Sequence, residues 1–177
     1  MITKYIKIVS QNVWKNNLIV NTILKTQFSF NVIFIQESSW TTIHLILSSR
    51  SIEGKELVRV LNYSNWLIFA RNLSSDNSSP RVITYINIRL LSFQFSLYRD
   101  LFNHRDISLI SFFNNSIILF LMNVYSDSSQ STLKYLKNTE ANFHNFLVIT
   151  GNFNIRDSLW NPLYPHYSSC SNFFLNS

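Results

Sequence analysis

Polar side chains close four apolar stretches of the chain, and their types and spacing could support chemistry. The four clusters are Gln11-Asn12, Gln36-Glu37, Asn123-Val-Tyr125 and Gly151-Asn-Phe-Asn154. Carboxylates bind cations and can accept protons, whereas amide N–H and phenol O–H groups donate hydrogen bonds to anions. Because the ends of core strands can hold distant side chains on a rigid frame, the four clusters could converge on one site.

Each cluster taken singly also has a purely structural interpretation. Asn12 could be the N-cap of a following helix, and Glu37 could be a solvated strand end. Tyr125 could be an aromatic residue at the rim of the fold, and Asn154 could be a turn residue. The order and spacing of the four clusters are therefore more informative than any one of them.

Strands are needed to position these clusters, and the hydrophobic pattern predicts them along most of the chain. Alternating apolar and polar residues from Arg81 to Leu91 are typical of a sheet strand. A hairpin is predicted from Ile107 to Phe113 and Ile117 to Tyr125, joined by Asn114-Asn115. Further strands are predicted at Ile2–Val9, Asn31–Glu37, Trp66–Ala70 and Asn145–Thr150, the second and last of them buried.

Helices are predicted at three places. An amphipathic helix follows Gln11-Asn12, because near-helical spacing relates Val13, Val20, Leu24 and Phe28. Asp127-Ser-Ser-Gln130 fits a capping box that opens a second helix, whose apolar residues are Leu133, Leu136 and Phe143. A short helix is predicted around Lys55 to Leu61, and a polar loop from Leu73 to Pro80.

Composition indicates one folded domain of mixed class, residues 1–177. Hydrophobic residues make up 46% of the chain and charged residues 14%, which is enough apolar material for a sizeable core. Strands alternate with helices and hairpins lie among them, which favours an α/β (α+β) protein with a largely antiparallel sheet or sandwich over a doubly wound parallel one.

Charge and cysteine content bear on the partners of the chain. The net charge of +6 favours a polyanionic partner such as nucleic acid, although the scattered lysines and arginines fit a mildly basic surface equally well. The longest apolar run, Ile117 to Met122, is far shorter than the roughly 20 residues of a membrane span, so we expect no membrane partner. A single cysteine, Cys170, excludes an internal disulfide and a cysteine-based zinc site. We expect no disulfide-linked partner and an intracellular, reducing compartment.

The ordered motifs Q-N, I-Q-E, N-V-Y and G-N-F-N resemble those of the endonuclease/exonuclease/phosphatase family. Within that family the sequence is similar to the endonuclease domain of non-LTR retrotransposons, particularly fungal ones. The runs that carry this likeness are Asn103–Phe113, Gly151–Pro162 and Tyr164–Ser169, within a resemblance from Ile6 to Ser171. It implies a two-sheet, mostly antiparallel sandwich flanked by helices.

The resemblance also implies an activity and a set of roles. The activity is Mg²⁺-dependent hydrolysis of a phosphodiester, with DNA as the partner. Glu37 would ligate Mg²⁺, and Asn12 would support the geometry of metal and phosphate. Tyr125 would contact the scissile phosphate, and Asn154 would orient the attacking water or the phosphate. Asn152 stands where the family motif G-D-F-N has an aspartate that helps to activate the water.

Two departures from the family lead us to expect impaired catalysis. An amide at Asn152 cannot accept a proton at neutral pH, and loss of a general base typically costs about 10²- to 10⁴-fold in rate. Family members also continue through further strands to a late aspartate and a closing S-D-H motif. The chain ends at Ser177 with neither, so we expect a C-terminally incomplete domain that lacks the last strands of the sandwich.

Three functions remain open at this point. The first is a Mg²⁺-dependent endonuclease that nicks DNA for retroelement insertion. The second is an inactive fragment that keeps weak nucleic-acid binding through Arg89, Arg105 and Arg156, although these arginines could equally form a solvated face. The third is a phosphatase that acts on small phosphoesters, against which the retroelement-like runs argue.

Overall fold

Runs of β-branched and aromatic residues form two sheets in the computed structural model. It describes residues 5–38, 44–46, 57–59, 65–70, 81–90, 94–98, 101–102, 104–114, 117–139 and 146–154. The strands of the larger sheet are β1 (Ile8–Asn12), β2 (Val32–Gln36), β3 (His44–Ile46), β4 (Leu57–Arg59), β5 (Trp66–Phe69) and β6 (Val82–Asn87). Their order is β1-β2-β6-β5-β4-β3. β1 and β2 are parallel, and the other neighbours are antiparallel.

The smaller sheet contains the second half of the described chain. Its strands are β7 (Gln94–Leu97), β8 (Ile107–Asn114), β9 (Ile117–Tyr125) and β10 (Phe146–Asn152), in the order β10-β9-β8-β7. The β8–β9 pair is the antiparallel hairpin that the sequence predicts. β10 joins β9 in parallel, which requires the chain to cross back over the sheet before β10 begins.

Two α-helices and one 3₁₀ helix (Ile88–Leu90) lie among the described residues. α1 (Asn17–Thr26) begins after Asn16, whose side chain accepts hydrogen bonds from the backbone N–H groups of Leu18 and Ile19 and so satisfies two free donors of the first turn. α2 (Ser131–Asn138) follows β9. Neither described helix is long and apolar enough to cross a membrane.

The two sheets pack face to face and each has a helix on its outer face. Alternate residues of β2 divide between two cores, since successive side chains of a strand point to opposite faces. Val32 and Phe34 pack against Ile110 and Leu121 of the smaller sheet. Ile33 and Ile35 pack instead with Val20 and Leu24 of α1. On the other side of the molecule, α2 packs against the smaller sheet through Leu133 and Leu136. This helix–sheet–sheet–helix layering confirms the predicted sandwich, which is mostly antiparallel.

Three local predictions are wrong. The segment Lys55 to Leu61 contains the strand β4 instead of a helix, because pairing with β3 and β5 overrides its local preference. Asp127 does not cap α2. Its carboxylate accepts from the backbone N–H of Ser129 at 3.1 Å, and Gln130, the N-cap residue, makes no side-chain cap bond. The sequence predicts a buried strand at Asn145–Thr150, but β10 is half-buried. It lies at one edge of the smaller sheet among the described strands. Phe143 and the predicted loop from Leu73 to Pro80 lie outside the described residues.

Candidate active site

The four polar clusters meet at one edge of the sandwich. In the parallel pair β1–β2, Asn12 lies opposite Gln36, and in the parallel pair β9–β10, Tyr125 lies opposite Asn152. β10 also contacts β1 and β2 across the sandwich. Because all four strands run toward this edge, their last residues lie close together, as the sequence predicts.

Two buried amides join the sheets directly behind this edge. Gln36 Nε2 donates to Asn123 Oδ1 at 2.6 Å and to Ser10 Oγ at 3.0 Å. Asn123 Nδ2 donates to the backbone carbonyls of Ile35 and Ile83, at 3.2 and 3.1 Å. Both amide side chains are almost completely buried. Since an unpaired buried amide is costly, these bonds restrict how the two sheets can sit against each other here.

Glu37 lies close to polar groups of both sheets. Asn12 Nδ2 of the larger sheet donates to Glu37 Oε1 at 3.0 Å, and the negative charge of the same carboxylate helps to raise the pKa of Tyr125 in the smaller sheet. The backbone of Glu37 has a φ of 51°, in the left-handed region that costs a non-glycine residue free energy. The carboxylate is therefore half-buried and oriented, which does not fit a freely solvated strand end.

Asn12 uses both ends of its amide to support this arrangement. Its Nδ2 binds Glu37, and its Oδ1 accepts from the backbone N–H of Trp14 at 3.0 Å. The interpretation of Asn12 as a helix N-cap is wrong, because Asn16 caps α1. Asn12 thus positions the Glu37 carboxylate and stabilises the turn that follows β1.

Arg81 lies beside the site and was missed in the sequence. Its guanidinium carbon lies 4.4 Å from the centroid of the Tyr125 ring, a cation–π geometry. Arg81 Nε donates to Asp106 Oδ1 at 2.8 Å, and Nη2 donates to Asp106 Oδ2 and to Asp127 Oδ2. The hydrogen bonds with Asp106 are the main cause that raises the pKa of Arg81. Because Asp106 is fully buried, its charge requires this partner. No sequence period relates these residues, so local patterning gave no signal for them.

The environment of Tyr125 changes its acidity. Burial is the largest cause that raises the pKa of Tyr125, and the nearby Glu37 carboxylate raises it further. The positive charge of Arg81 acts in the opposite direction. The phenol therefore keeps its proton to a higher pH than an ordinary tyrosine does.

The segment after β10 forms a tight turn against β9. The Asn152 Oδ1 atom accepts from the backbone N–H of Asn154 at 3.1 Å, and the Asn154 side chain donates to the Ser126 carbonyl at 2.5 Å. Ser126 N–H in turn donates to the Asn152 carbonyl at 2.7 Å. Asn154 is exposed and has a φ of 48°, so it is a turn residue as well as a neighbour of the site.

Gly151 is needed for the close approach of β10 to β9. A Cβ atom built on Gly151 would lie 1.8 Å from the carbonyl oxygen of Val124, which is far inside van der Waals contact. A side chain here would push away the strand end that carries Asn152 and Asn154. The glycine of the G-N-F-N motif is therefore explained by backbone packing.

The three arginines proposed to bind nucleic acid lie in different places. Arg105 Nε lies 3.6 Å from Asp106 Oδ2, on the side of the molecule where Arg81 pairs with Asp106. Arg89 follows β6 at the end opposite Arg81, and its guanidinium reaches the carbonyl oxygen of Phe28 at 3.5 Å. Arg156 lies outside the described residues. Of the two arginines that the structure describes, Arg105 therefore lies nearer to the candidate site than Arg89.

The chemistry of the donor set is compatible with Mg²⁺. This cation takes oxygen ligands, commonly one or two carboxylates together with substrate phosphate, and retains several waters. Asp106 is paired with Arg81 and Arg105, and Asp127 is paired with Arg81, which leaves Glu37 as the carboxylate of the site with no cationic partner in the described part of the chain. Within that part, no group of three or more His, Cys, Asp or Glu side chains forms a complete metal cage. Glu37 therefore fits a magnesium ion that keeps most of its waters.

Comparison with solved structures identifies the fold. It is similar to the endonuclease domain of TRAS1, a telomere-specific non-LTR retrotransposon, with a TM-score of 0.57 and 11% sequence identity over 96% of this chain and 69% of that one. The chain therefore shares the fold of that endonuclease domain, as expected from its resemblance to the endonuclease/exonuclease/phosphatase family. A humanized D. rerio TDP2 carrying 14 mutations also matches, with a TM-score of 0.45 and 15% identity over 93% of this chain and 68% of that one. No protein-family model and no curated protein sequence matches the chain.

We predict that the buried amide pair is a major source of stability for this fold. Asn123→Leu leaves the amide of Gln36 and two carbonyls without their partner, and should lower the free energy of unfolding by about 2–4 kcal/mol in urea titration. Ser111→Ala is the matched control, because it removes an exposed hydroxyl pair with Ser96 and should change stability by about 0.5 kcal/mol or less. Equal effects of the two substitutions would contradict this role.

We predict that Glu37 controls the acidity of Tyr125. An ultraviolet titration should show one phenol that ionises above pH ~10, because the pKa of Tyr125 is raised. This ionisation step should be missing in Tyr125→Phe. Glu37→Gln removes the negative charge and should shift that ionisation to lower pH. An unchanged titration in Glu37→Gln would show that the two side chains do not interact in solution.

Proposed function

We propose that this chain is a Mg²⁺-dependent phosphodiesterase, a DNA endonuclease-like domain of retroelement origin whose catalysis is impaired. The observation that carries this proposal is the orientation of Glu37 by Asn12, beside Tyr125, where four strands end together. The nuclease-like fold supports it. Since one fold can host many activities, the site matters more than the fold for this conclusion.

The residues of the site divide the work of such a reaction. Glu37 would hold Mg²⁺, which supplies polarisation of a phosphoryl oxygen and stabilisation of the leaving oxyanion. Asn12 would keep the carboxylate oriented. Tyr125 keeps its phenol proton at physiological pH, as an ordinary tyrosine does, and can donate a hydrogen bond to a phosphate oxygen when substrate is present. Arg81 is occupied by two carboxylates and would hold the Tyr125 ring in position.

Asn152 accounts for the proposed impairment. Its amide cannot take a proton from water at neutral pH, so the step that a carboxylate would assist has no base at this position. The Asn152 side chain closes the turn to Asn154 through its oxygen, a contact that an aspartate oxygen of the same shape can make. Asn154, which also contacts Ser126, would orient the attacking water or the phosphate. Replacement of Asn152 by aspartate should therefore supply a base and keep the turn.

We predict that Asn152→Asp increases Mg²⁺-dependent nicking of supercoiled plasmid by about 10²- to 10⁴-fold over the unaltered chain. The increase follows from a carboxylate placed where the water would be activated. The measurement is the initial rate of conversion of supercoiled plasmid to open circles. The matched control is the double variant Asn152→Asp with Glu37→Ala, which should nick no faster than the buffer.

Two results would oppose this function. If Asn152→Asp and the unaltered chain convert plasmid at the same rate, Asn152 does not occupy the position of a base. If the double variant nicks as fast as Asn152→Asp alone, Glu37 does not hold the catalytic metal. Circular dichroism of each variant excludes unfolding as the cause of a lost activity.

Nucleic-acid binding without cleavage is the second candidate function, and Asn152 together with the net charge of +6 favours it. DNA binding that weakens with salt, without any Mg²⁺-dependent nicking by the chain or by Asn152→Asp, would support it. Release of phosphate from a soluble phosphoester, with no effect on DNA, would support a small-molecule phosphatase instead.

A further inference from the structure

An exposed aromatic residue lies beside the candidate active site. Trp14 is 69% exposed, although tryptophan side chains are on average highly buried. Lys15, the next residue, is also exposed, and Leu18 on the first turn of α1 is 73% exposed. None of the roles assigned to the site uses these side chains, which form a basic and aromatic surface next to it.

The backbone holds Trp14 and Lys15 in a rigid turn. Their φ angles are 47° and 59°, in the left-handed region that strains residues other than glycine. Three hydrogen bonds stabilise this conformation: Trp14 N–H to Asn12 Oδ1 at 3.0 Å, Lys15 N–H to the Glu37 carbonyl at 2.7 Å, and Asn16 N–H to the Val13 carbonyl at 2.8 Å. The turn is thus bonded to Asn12 and Glu37, the same two residues that form the centre of the site.

We propose that the turn Trp14–Lys15 is a nucleic-acid contact, in which Trp14 stacks on an unpaired base and Lys15 pairs with a neighbouring phosphate. Every base has a π face, so stacking on an aromatic side chain tolerates any sequence. Lysine adds a charge interaction with the backbone. This role rests on the proposed function, and it specifies which form of nucleic acid the site receives.

The chemistry of the turn favours nucleic acid over an apolar protein partner. A hydrophobic docking surface would be interrupted by the charge of Lys15, which lies between Trp14 and Leu18 in the chain, whereas a nucleic acid offers both an aromatic face and an anion. Within a duplex the base faces are covered by their neighbours. Trp14 can therefore stack only where a base is unpaired, and we expect single-stranded DNA, or duplex with unpaired bases, to bind more tightly than an intact duplex.

The test is binding of a dye-labelled oligothymidylate by fluorescence anisotropy, at low salt with EDTA present. Trp14→Leu should weaken binding by about 5- to 150-fold, the range expected for the loss of one stacked base. Trp14→Phe keeps a ring and should recover most of the affinity. Lys15→Gln should lower the slope of log K against log salt by about 0.7, the value for one phosphate contact on a single strand.

Two variants far from the turn are matched controls. Phe113→Leu removes an aromatic side chain that is 40% exposed at the other end of the β8–β9 hairpin from Tyr125. Lys25→Gln removes an exposed lysine from the last turn of α1. Both should bind the oligonucleotide as the unaltered chain does.

The outcomes separate this contact from the proposed function. Equal affinities of Trp14→Leu and the unaltered chain, equal losses in Phe113→Leu and Trp14→Leu, or no binding by the unaltered chain would each overturn the contact. Binding that depends on Trp14, in a chain whose Asn152→Asp variant does not nick plasmid, would support the contact and reject the nuclease. Asn152→Asp could instead nick plasmid at the same rate with and without Trp14→Leu, while Trp14→Leu binds the oligonucleotide as tightly as the unaltered chain. That result would reject only the contact.

Discussion

The hydrogen bonds between the buried amides of Gln36 and Asn123 are the constraint on which the site depends. They join a strand of each sheet, and the amide of Asn123 also binds the carbonyls of Ile35 and Ile83. Apolar side chains between two sheets allow small sliding movements, because hydrophobic contact has no direction. Directional bonds in a dry interior remove that freedom. Glu37 follows Gln36 directly and Tyr125 lies two positions after Asn123, so these two side chains are held close together.

Charge is arranged around Tyr125 in a similarly constrained way. Asp106 is buried and needs Arg81, and Arg81 in turn lies against the Tyr125 ring while it also contacts Asp127. Asp106 binds the backbone of Tyr125 as well, since its carbonyl accepts from the Tyr125 N–H at 2.9 Å. The same group of charges therefore supports the strand end and its ring. Glu37 is left as the carboxylate of the site without a positive partner among the described residues.

Backbone strain is concentrated around the site. Among the described non-glycine residues, positive φ angles occur at Trp14, Lys15, Glu37, Gln130 and Asn154, and four of these five adjoin the strand ends that form the site. Such conformations persist where surrounding bonds over-determine them. Here the bonds come from the side chains of Asn12 and Asn152 and from the backbone carbonyl of Glu37, so two polar side chains of the site also stabilise the turns beside it.

The sequence by itself determined the class of fold and most strands and placed four polar clusters at strand ends, because alternation of apolar residues and polar strand ends are local signals. Only tertiary structure decided that Leu57–Arg59 is a strand, since pairing with β3 and β5 outweighs local preference. Tertiary structure also decided the partners. Arg81 and Asp106 are 25 positions apart, and Gln36 and Asn123 are 87 apart. Contacts at such separations depend on how two sheets pack, and no period in a single sequence records that packing.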